Sequence, residues 1–360
     1  MIQREISSKI LHLGSNIDGR GGIATFLRSY STLFEVFNYM KASSNGNILN
    51  RTWYYIKSVF MLLIILPQSK IEIVHIHSSA PVLLHKVALY IVLSKLFSKT
   101  VILHIHASEF EQKCKSHKRW LRWLFKHVDL IICVSKDIEN TIMKYKLSTK
   151  TKVLYNLIDK PISMAVSKND AKVRFLFMGE IIVRKGIYDL IEVLGRHKSY
   201  FEGKMLLSVA GGGNTTRLLQ LIQQYRIEGI VNYLGWLDST EKAKAFSEAD
   251  VFVLPSYSES FGLVNMEANS YGKPVLTTNV GGIPEIVCQG VNGVLIEPGN
   301  EEELFEKMKY LMENPDVRRK MGENGIKAAS QFYPDVVESK LKAVYDSLLH
   351  HEVVSNSTNV

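Results

Sequence analysis

Short apolar runs alternate with stretches of helical length along this chain, and the alternation runs through twice. Strands buried on both faces read as unbroken apolar runs, and the β-α-β-α order demands crossovers onto a parallel sheet. The first series has strand runs at residues 10–13, 71–76, 101–105, 131–134 and 152–155, with helices over 23–37 and from Lys136 onward. A polar segment at 159–172, DKPISMAVSKNDAK, reads as a linker. The second series has strand runs at 173–178, 205–210, 231–234, 250–254, 275–277 and 294–296, then a helix over 301–312. This pattern predicts an α/β chain of two Rossmann-like, doubly wound parallel-sheet domains, 1–165 and 166–334. A last helix over 335–350 packs on one or the other, back on the first included, and the polar tail 353–360 frays. Two such domains in tandem create a cleft, and open α/β sheets bind ligands beyond the carboxyl ends of their strands.

The 360 residues suffice for two ordinary cores. The three cysteines, Cys114, Cys133 and Cys288, have neither metal nor redox spacing, which predicts a reduced, cytoplasmic setting. The N-terminal segment MIQREISSKILHLG lacks the apolar core of a signal peptide. The run SVFMLLIILP at 58–67 is too short to span a bilayer and reads as a core helix, and the run at 87–97 is interrupted by Ser94 and Lys95. Charge is unevenly divided. Residues 1–160 carry 23 Lys and Arg against 10 Asp and Glu, whereas residues 161–360 carry 21 against 25. A basic half commonly faces an anionic partner.

The densest chemistry lies in PSYSESFGLVNMEANSYGKPVLTTNVGG, residues 255–282. A buried strand feeds a Ser-Phe-Gly turn that opens a helix, whose first N–H groups and positive dipole end suit a phosphate. Glu259 and Glu267 flank that turn. A carboxylate beside a phosphate site is suited to holding hydroxyls, so phosphate and hydroxyls together indicate a nucleotide sugar. A glycosidase acid and base is the competing reading of two carboxylates. Two other turns join strands to helices: Gly19-Arg20-Gly21-Gly22, which lets a diphosphate approach the backbone or is a plain tight turn, and GEIIVRKG at 179–186, where Arg184 and Lys185 can neutralise a diphosphate.

The sequences VHIHSS and LHIHASEF put His75, His77, His104 and His106 at alternate positions near two strand ends. Each pair is about 6–7 Å apart along its strand, wide for one zinc ion. No Asp-x-Asp is present to hold a metal–diphosphate. His106, followed by Ala107-Ser108-Glu109, is the candidate for the cleft, and His104 reads as a satisfied core histidine. In KCKSHKRWLRWLFKHV, residues 113–128, Lys118, Arg119 and Arg122 interleave with Trp120 and Trp123. This describes either a helix lying on an anionic membrane or one burying an apolar face beneath a solvated basic rim. No nucleic-acid motif accompanies it.

In this order the features resemble the retaining GT-B glycosyltransferases of family 4 (glycosyl transferases group 1), strongly over 173–300 and more weakly over 1–172. The family's E-x7-E motif is met by Glu259 and Glu267, and GKPVLTTNVGGIPEIV and NGVLIEPGN resemble its continuation. The resemblance implies transfer of a sugar, with retention, from a nucleotide-sugar donor to a glycan or lipid-linked acceptor in surface polysaccharide synthesis, without metal or other cofactor. By it Glu259 binds the sugar hydroxyls and Glu267 the ribose, and the backbone of Phe261, Gly262, Leu263 and Val264 faces sugar and diphosphate. Gly21-Gly22 match its glycine-rich first loop, His106 its first-domain histidine and Lys185 its donor-site lysine. Many members have Gly-Arg where this chain has Gly179-Glu180, and Arg184 is the candidate substitute. An epimerase or hydrolase of the same fold, and a non-catalytic nucleotide-sugar-binding protein, are the rival readings.

Overall fold

The computed structural model describes the chain except residues 20, 43–47, 69, 79–83, 109, 163–170 and 351–360. Arg20 of the first glycine turn, Glu109 beyond His106, most of the expected linker and the tail at 353–360 therefore lie outside the described residues. The chain divides into two compact units, Met1–Ile158 with Phe332–Val360, and Asp159–Gln331.

Unit 1 runs α1 (Arg4–Ser7), β1 (Ile10–Gly14), α2 (Gly22–Ser31), β2 (Asn38–Lys41), α3 (Ile48–Gln68), β3 (Ile73–Ser78), α4 (Leu84–Leu96), β4 (Thr100–Ile105), α5 (Phe110–Lys126), β5 (Leu130–Cys133), α6 (Lys136–Lys144) and β6 (Thr151–Val153). Its six strands pair in parallel in the order β2-β1-β3-β4-β5-β6. Unit 2 runs β7 (Val173–Met178), α7 (Ile187–Arg196), α8 (Lys198–Phe201), β8 (Met205–Ala210), α9 (Thr215–Tyr225), β9 (Val231–Gly235), α10 (Ser239–Glu248), β10 (Val251–Leu254), α11 (Leu263–Ser270), β11 (Val275–Thr278), β12 (Gly293–Ile296), α12 (Glu301–Glu313) and α13 (Pro315–Ala329). Its sheet, also parallel, has the order β12-β11-β10-β7-β8-β9. The last helix, α14 (Pro334–Leu349), belongs to unit 1.

The reason for that return is burial. Val337, Leu341, Val344 and Tyr345 of α14 join Phe26, Leu27 and Tyr30 of α2 in one buried cluster over Ile10, Ile73, Ile102 and Ile132 of the sheet. The two tyrosine hydroxyls meet at 2.9 Å, and Tyr345 also reaches His75 Nδ1 at 2.7 Å. Burying large apolar side chains contributes about 1.5–3 kcal/mol each, so α14 is part of this core rather than an appendage.

Two expectations are corrected. The helix expected over 23–37 stops at Ser31, and β2, absent from the sequence reading, follows at the sheet edge. An edge strand of four residues with only Met40 buried has too little apolar pattern to stand out. The apolar run at 58–67 is no core helix. It is the second half of the 21-residue α3, which buries Ser58, Leu62 and Leu66 and exposes Phe60, Leu63 and Ile64. Apolar composition gave no period there, and the sheet covers only one face.

Candidate active site

In unit 2 the loops after β7, β8, β10 and β11 gather at the carboxyl ends of the sheet, where such sheets bind ligands. Lys185 lies in a short 3-10 turn after β7, and Gly186 follows in the left-handed region at φ 66°. A Cβ on Gly186 would lie 2.0 Å from the Pro255 carbonyl oxygen, so glycine is what lets this loop seat against the segment after β10. The Arg184 carbonyl accepts from Tyr257 N at 2.8 Å, and the Arg184 guanidinium donates to Ser258 O at 2.9 Å. The outcome is a direct ion pair between Lys185 and Glu259, whose side chains are 15% and 10% exposed. Ser256, fully buried, donates to the same Glu259 oxygen at 3.0 Å. From the far side, Gly281 (φ 53°) passes so close that a Cβ would stand 1.8 Å from the Glu259 carbonyl oxygen. Glu259 is thus held by the Gly281 backbone and by the side chains of Lys185 and Ser256.

Gly262 is the N-cap of α11, in the left-handed conformation and without a side-chain cap. The N–H groups of Leu263 and Val264 begin the helix where no preceding turn supplies acceptors, at the positive dipole end. Phe261 packs inward at 1% exposure. Glu267 forms a second, separate pair with Lys242 of α10 at 2.6 Å. That lysine is set by a capping box: Asp238 accepts from Thr240 N and Glu241 N at 2.8 Å, and Glu241 accepts from Asp238 N at 2.9 Å. Each carboxylate therefore holds its own lysine. Two ion-paired carboxylates at a helix start make hydroxyl acceptors beside an anion site; an acid and base for hydrolysis would need one carboxyl kept protonated.

In unit 1, Gly21 is the N-cap of α2, and Arg28 donates to Ile17 O (2.8 Å) and Gly19 O (3.0 Å), which ties the turn to the helix. The histidines depart from the sequence reading. His12 joins the four, and all five are buried, from 0% to 8% exposed. The ring centroids of His75 and His77 are 4.4 Å apart, and those of His104 and His106 are 4.1 Å apart, because the rings lean together. Strand spacing fixes Cα positions, not ring positions. Nitrogens meet at 3.4 Å (His12–His77), 3.3 Å (His75–His104) and 3.3 Å (His77–His106). Neutral rings can fill all three contacts as N–H···N bonds. His104 is not the satisfied histidine expected: its Nε2, like that of His12, has no hydrogen-bond partner among the described residues.

The nitrogens of His12, His75 and His77, and those of His77, His104 and His106, lie within 4.8 Å of one another, close enough to share a cation. All these ligands are neutral imidazoles packed against Phe26, Tyr30 and Phe34, so an ion would carry its whole charge into an apolar core. Burial holds His12 and His106 down at about 3, with the Asn156 side chain opposing the shift at His106. Burial first, and neighbouring imidazoles second, hold His75, His77 and His104 well below the usual histidine range.

Two family descriptions divide the chain between them. Glycosyltransferase Family 4 matches residues 32–160, and Glycosyl transferases group 1 matches residues 159–328. A glycosyltransferase of Methanocaldococcus jannaschii is 30% identical over 292 residues, covering 79% of this chain and 78% of the relative. The chain belongs to the family 4 glycosyltransferases. A protein of the cps region of Klebsiella pneumoniae is 25% identical over 331 residues, covering 83% of this glycosyltransferase and 88% of the relative. Among solved structures, Anabaena HepE in complex with UDP overlays with a TM-score of 0.74 at 19% identity, covering 94% of this chain and 100% of HepE. The overlay shows the GT-B fold.

Sequence reading missed several residues around the candidate site of unit 2. Lys242 had no signal, because its pairing with Glu267 arises only when α10 and α11 pack. Ser256 likewise looks like any loop serine. The triplet Gly211-Gly212-Gly213 after β8 did carry a signal, the same glycine turn read elsewhere. There Ile181 N donates to Gly212 O at 2.7 Å and Asn214 N to Ile181 O at 2.9 Å, so this loop braces the one leading to Lys185. Asn265, in the first turn of α11, is fully buried, and both amide atoms lack a partner among the described residues.

On α5, Leu121, Leu124 and Phe125 are buried, while Lys118, Arg119, Arg122 and the 48%-exposed Trp123 face outward, with Trp120 half-buried. The helix thus buries its apolar face beneath a solvated basic rim.

Proposed function

We propose that this glycosyltransferase moves a sugar, with retention at the anomeric carbon, from a nucleotide-sugar donor to a glycan or lipid-linked acceptor in surface polysaccharide assembly. The observation that carries this reading is the Lys185–Glu259 pair beside the open start of α11. When donor binds, Lys185 exchanges its carboxylate for the diphosphate, and Glu259, freed from the lysine but still held by Ser256, accepts hydroxyls of the sugar. Glu267 accepts the ribose hydroxyls with Lys242 steadying its charge, and the N–H groups of Gly262, Leu263 and Val264 meet phosphate oxygens. Arg184 is a further proposed diphosphate contact.

As the bond from the anomeric carbon to the diphosphate breaks, charge grows on the leaving oxygen, and Lys185 with the helix dipole stabilises it. The acceptor hydroxyl attacks from the same face and passes its proton to that leaving phosphate. No metal and no protein nucleophile take part in this route. UDP in a neighbour of the same fold makes UDP-sugars the first donors to assay. The cps-region relative supports the surface-polysaccharide part. The basic rim of α5 supports work on the cytoplasmic face of an anionic membrane, where nucleotide sugars are available.

Lys185→Ala and Glu267→Gln test the reading: each should lower sugar transfer on the order of 100-fold or more while the circular dichroism spectrum is kept. Full turnover in both ends it. Donor consumed equally fast without acceptor would turn the reading to hydrolysis or epimerisation.

A further inference from the structure

Unit 1 carries an apolar stripe that its own core does not use. On α3, Leu49, Trp53, Ile56, Phe60, Leu63 and Ile64 recur at helical spacing on one face, opposite the buried Ser58, Leu62 and Leu66. Trp53 and Phe60 are each 63% exposed, and Leu49 is 78% exposed. At 1.5 Å per residue the stripe is about 23 Å long, and its exposed apolar area is on the order of 600 Å², the upper end of what a monomer shows.

The surroundings of the stripe say what kind of surface covers it. Between Glu35 and Glu109 the chain has a single carboxylate, Glu72, against seven Lys and Arg. Lys41 sits 4.5 Å over the Tyr54 ring and Lys86 5.0 Å over Tyr55, which puts a cationic aromatic rim on the amino-terminal half of the helix. Between α3 and the sheet edge lies a cavity of about 650 Å³, whose lining includes Lys41, Lys57 and Lys70 together with Tyr54, Met61 and Ile65. Three lysines in a lining that mixes apolar side chains with Ser8, Asn38 and Ser58 match a phosphate headgroup joined to an acyl chain. A second copy of this chain docking here would set these cations against their own kind, and protein interface cores are depleted in lysine. No helix among the described residues is long and apolar enough to cross a membrane.

We infer that α3 lies in the plane of an anionic bilayer, with Trp53, Ile56, Phe60 and Ile64 in the headgroup–acyl boundary and Lys41, Lys57 and Lys70 holding a lipid phosphate. The inference rests on the membrane part of the preceding reading and gives it an apolar contact that α5 does not supply. It is independent of how the sugar is transferred.

Vesicle binding tests it. The full chain should sediment with vesicles of phosphatidylglycerol and phosphatidylcholine, and at least tenfold less with phosphatidylcholine alone. Brominated acyl chains should quench its tryptophan fluorescence. Trp53→Phe, which keeps the apolar face, should remove most of that quenching, whereas Trp123→Phe on α5 should not. Phe60→Gln with Ile64→Gln should weaken binding at least tenfold with the thermal midpoint held. Replacing Lys41, Lys57 and Lys70 by Gln should abolish the preference for anionic lipid. Turnover of a water-soluble acceptor should be unchanged in all of these, so failure here is separable from failure of the transfer reaction. Absence of vesicle binding, quenching that survives Trp53→Phe, or a lipid-free dimer broken by Phe60→Gln would each overturn the assignment.

Discussion

Lowering the pH from 7.5 to 5.5 charges the histidines of an unfolded chain but not the five rings buried in unit 1. His12 and His106 are held at about 3, and His75, His77 and His104 well below the usual range, by desolvation before any other cause. The folded pKa is depressed, so below the unfolded value of about 6.5 the unfolded state binds more protons and stability falls with pH. At pH 5.5 an unfolded imidazole is mostly charged, and each ring kept neutral costs about 1.4 kcal/mol relative to pH 7.5. Five rings cost about 7 kcal/mol, comparable with the 5–15 kcal/mol that holds a typical protein folded.

Urea titrations at pH 7.5, 6.5 and 5.5 measure this, and hydrogen exchange locates it. Peptides from β3 and β4 should lose protection steeply below pH 6.5, while those from β7 and β10, in a unit without buried histidines among its described residues, should not. In His77→Asn the same pH step should cost about 1.4 kcal/mol less, a comparison made within the variant and so independent of its starting stability. A total loss below about 1.5 kcal/mol, one proton's worth, or equal loss in both units, would refute the reasoning.

Other outcomes follow from the geometry. Lys242→Ala strips Glu267 of its cation and should raise the donor KM about tenfold or more with a smaller change in kcat, read by steady-state kinetics. Gly281→Ala drives a methyl into the Glu259 carbonyl at a left-handed position; it should destabilise unit 2 by about 1–3 kcal/mol in urea melts and depress transfer. Leu341→Ala empties a fully buried site on α14 and should cost about 2–5 kcal/mol, with exchange rising in β3 but not in β10.

The sequence by itself determined the two parallel sheets apart from the edge strand β2, because strands buried on both faces leave short apolar runs bounded by turns. It also determined the segment around Glu259 and Glu267, since a strand, a glycine turn and a helix start are local events. Lys185 was legible for the same reason, as a basic residue on a strand-to-helix turn. Tertiary structure decided the rest. The pairing of Lys242 with Glu267 spans two helices and leaves no mark in either. The convergence of five imidazoles, His12 among them, depends on which way rings lean from neighbouring strands. The return of α14 to unit 1 depends on which core had room for Tyr345. The outward face of α3 depends on what the sheet left uncovered. Local pattern records what a segment can bury; only packing settles what it does bury, because burial is a property of neighbours that lie far apart in the chain.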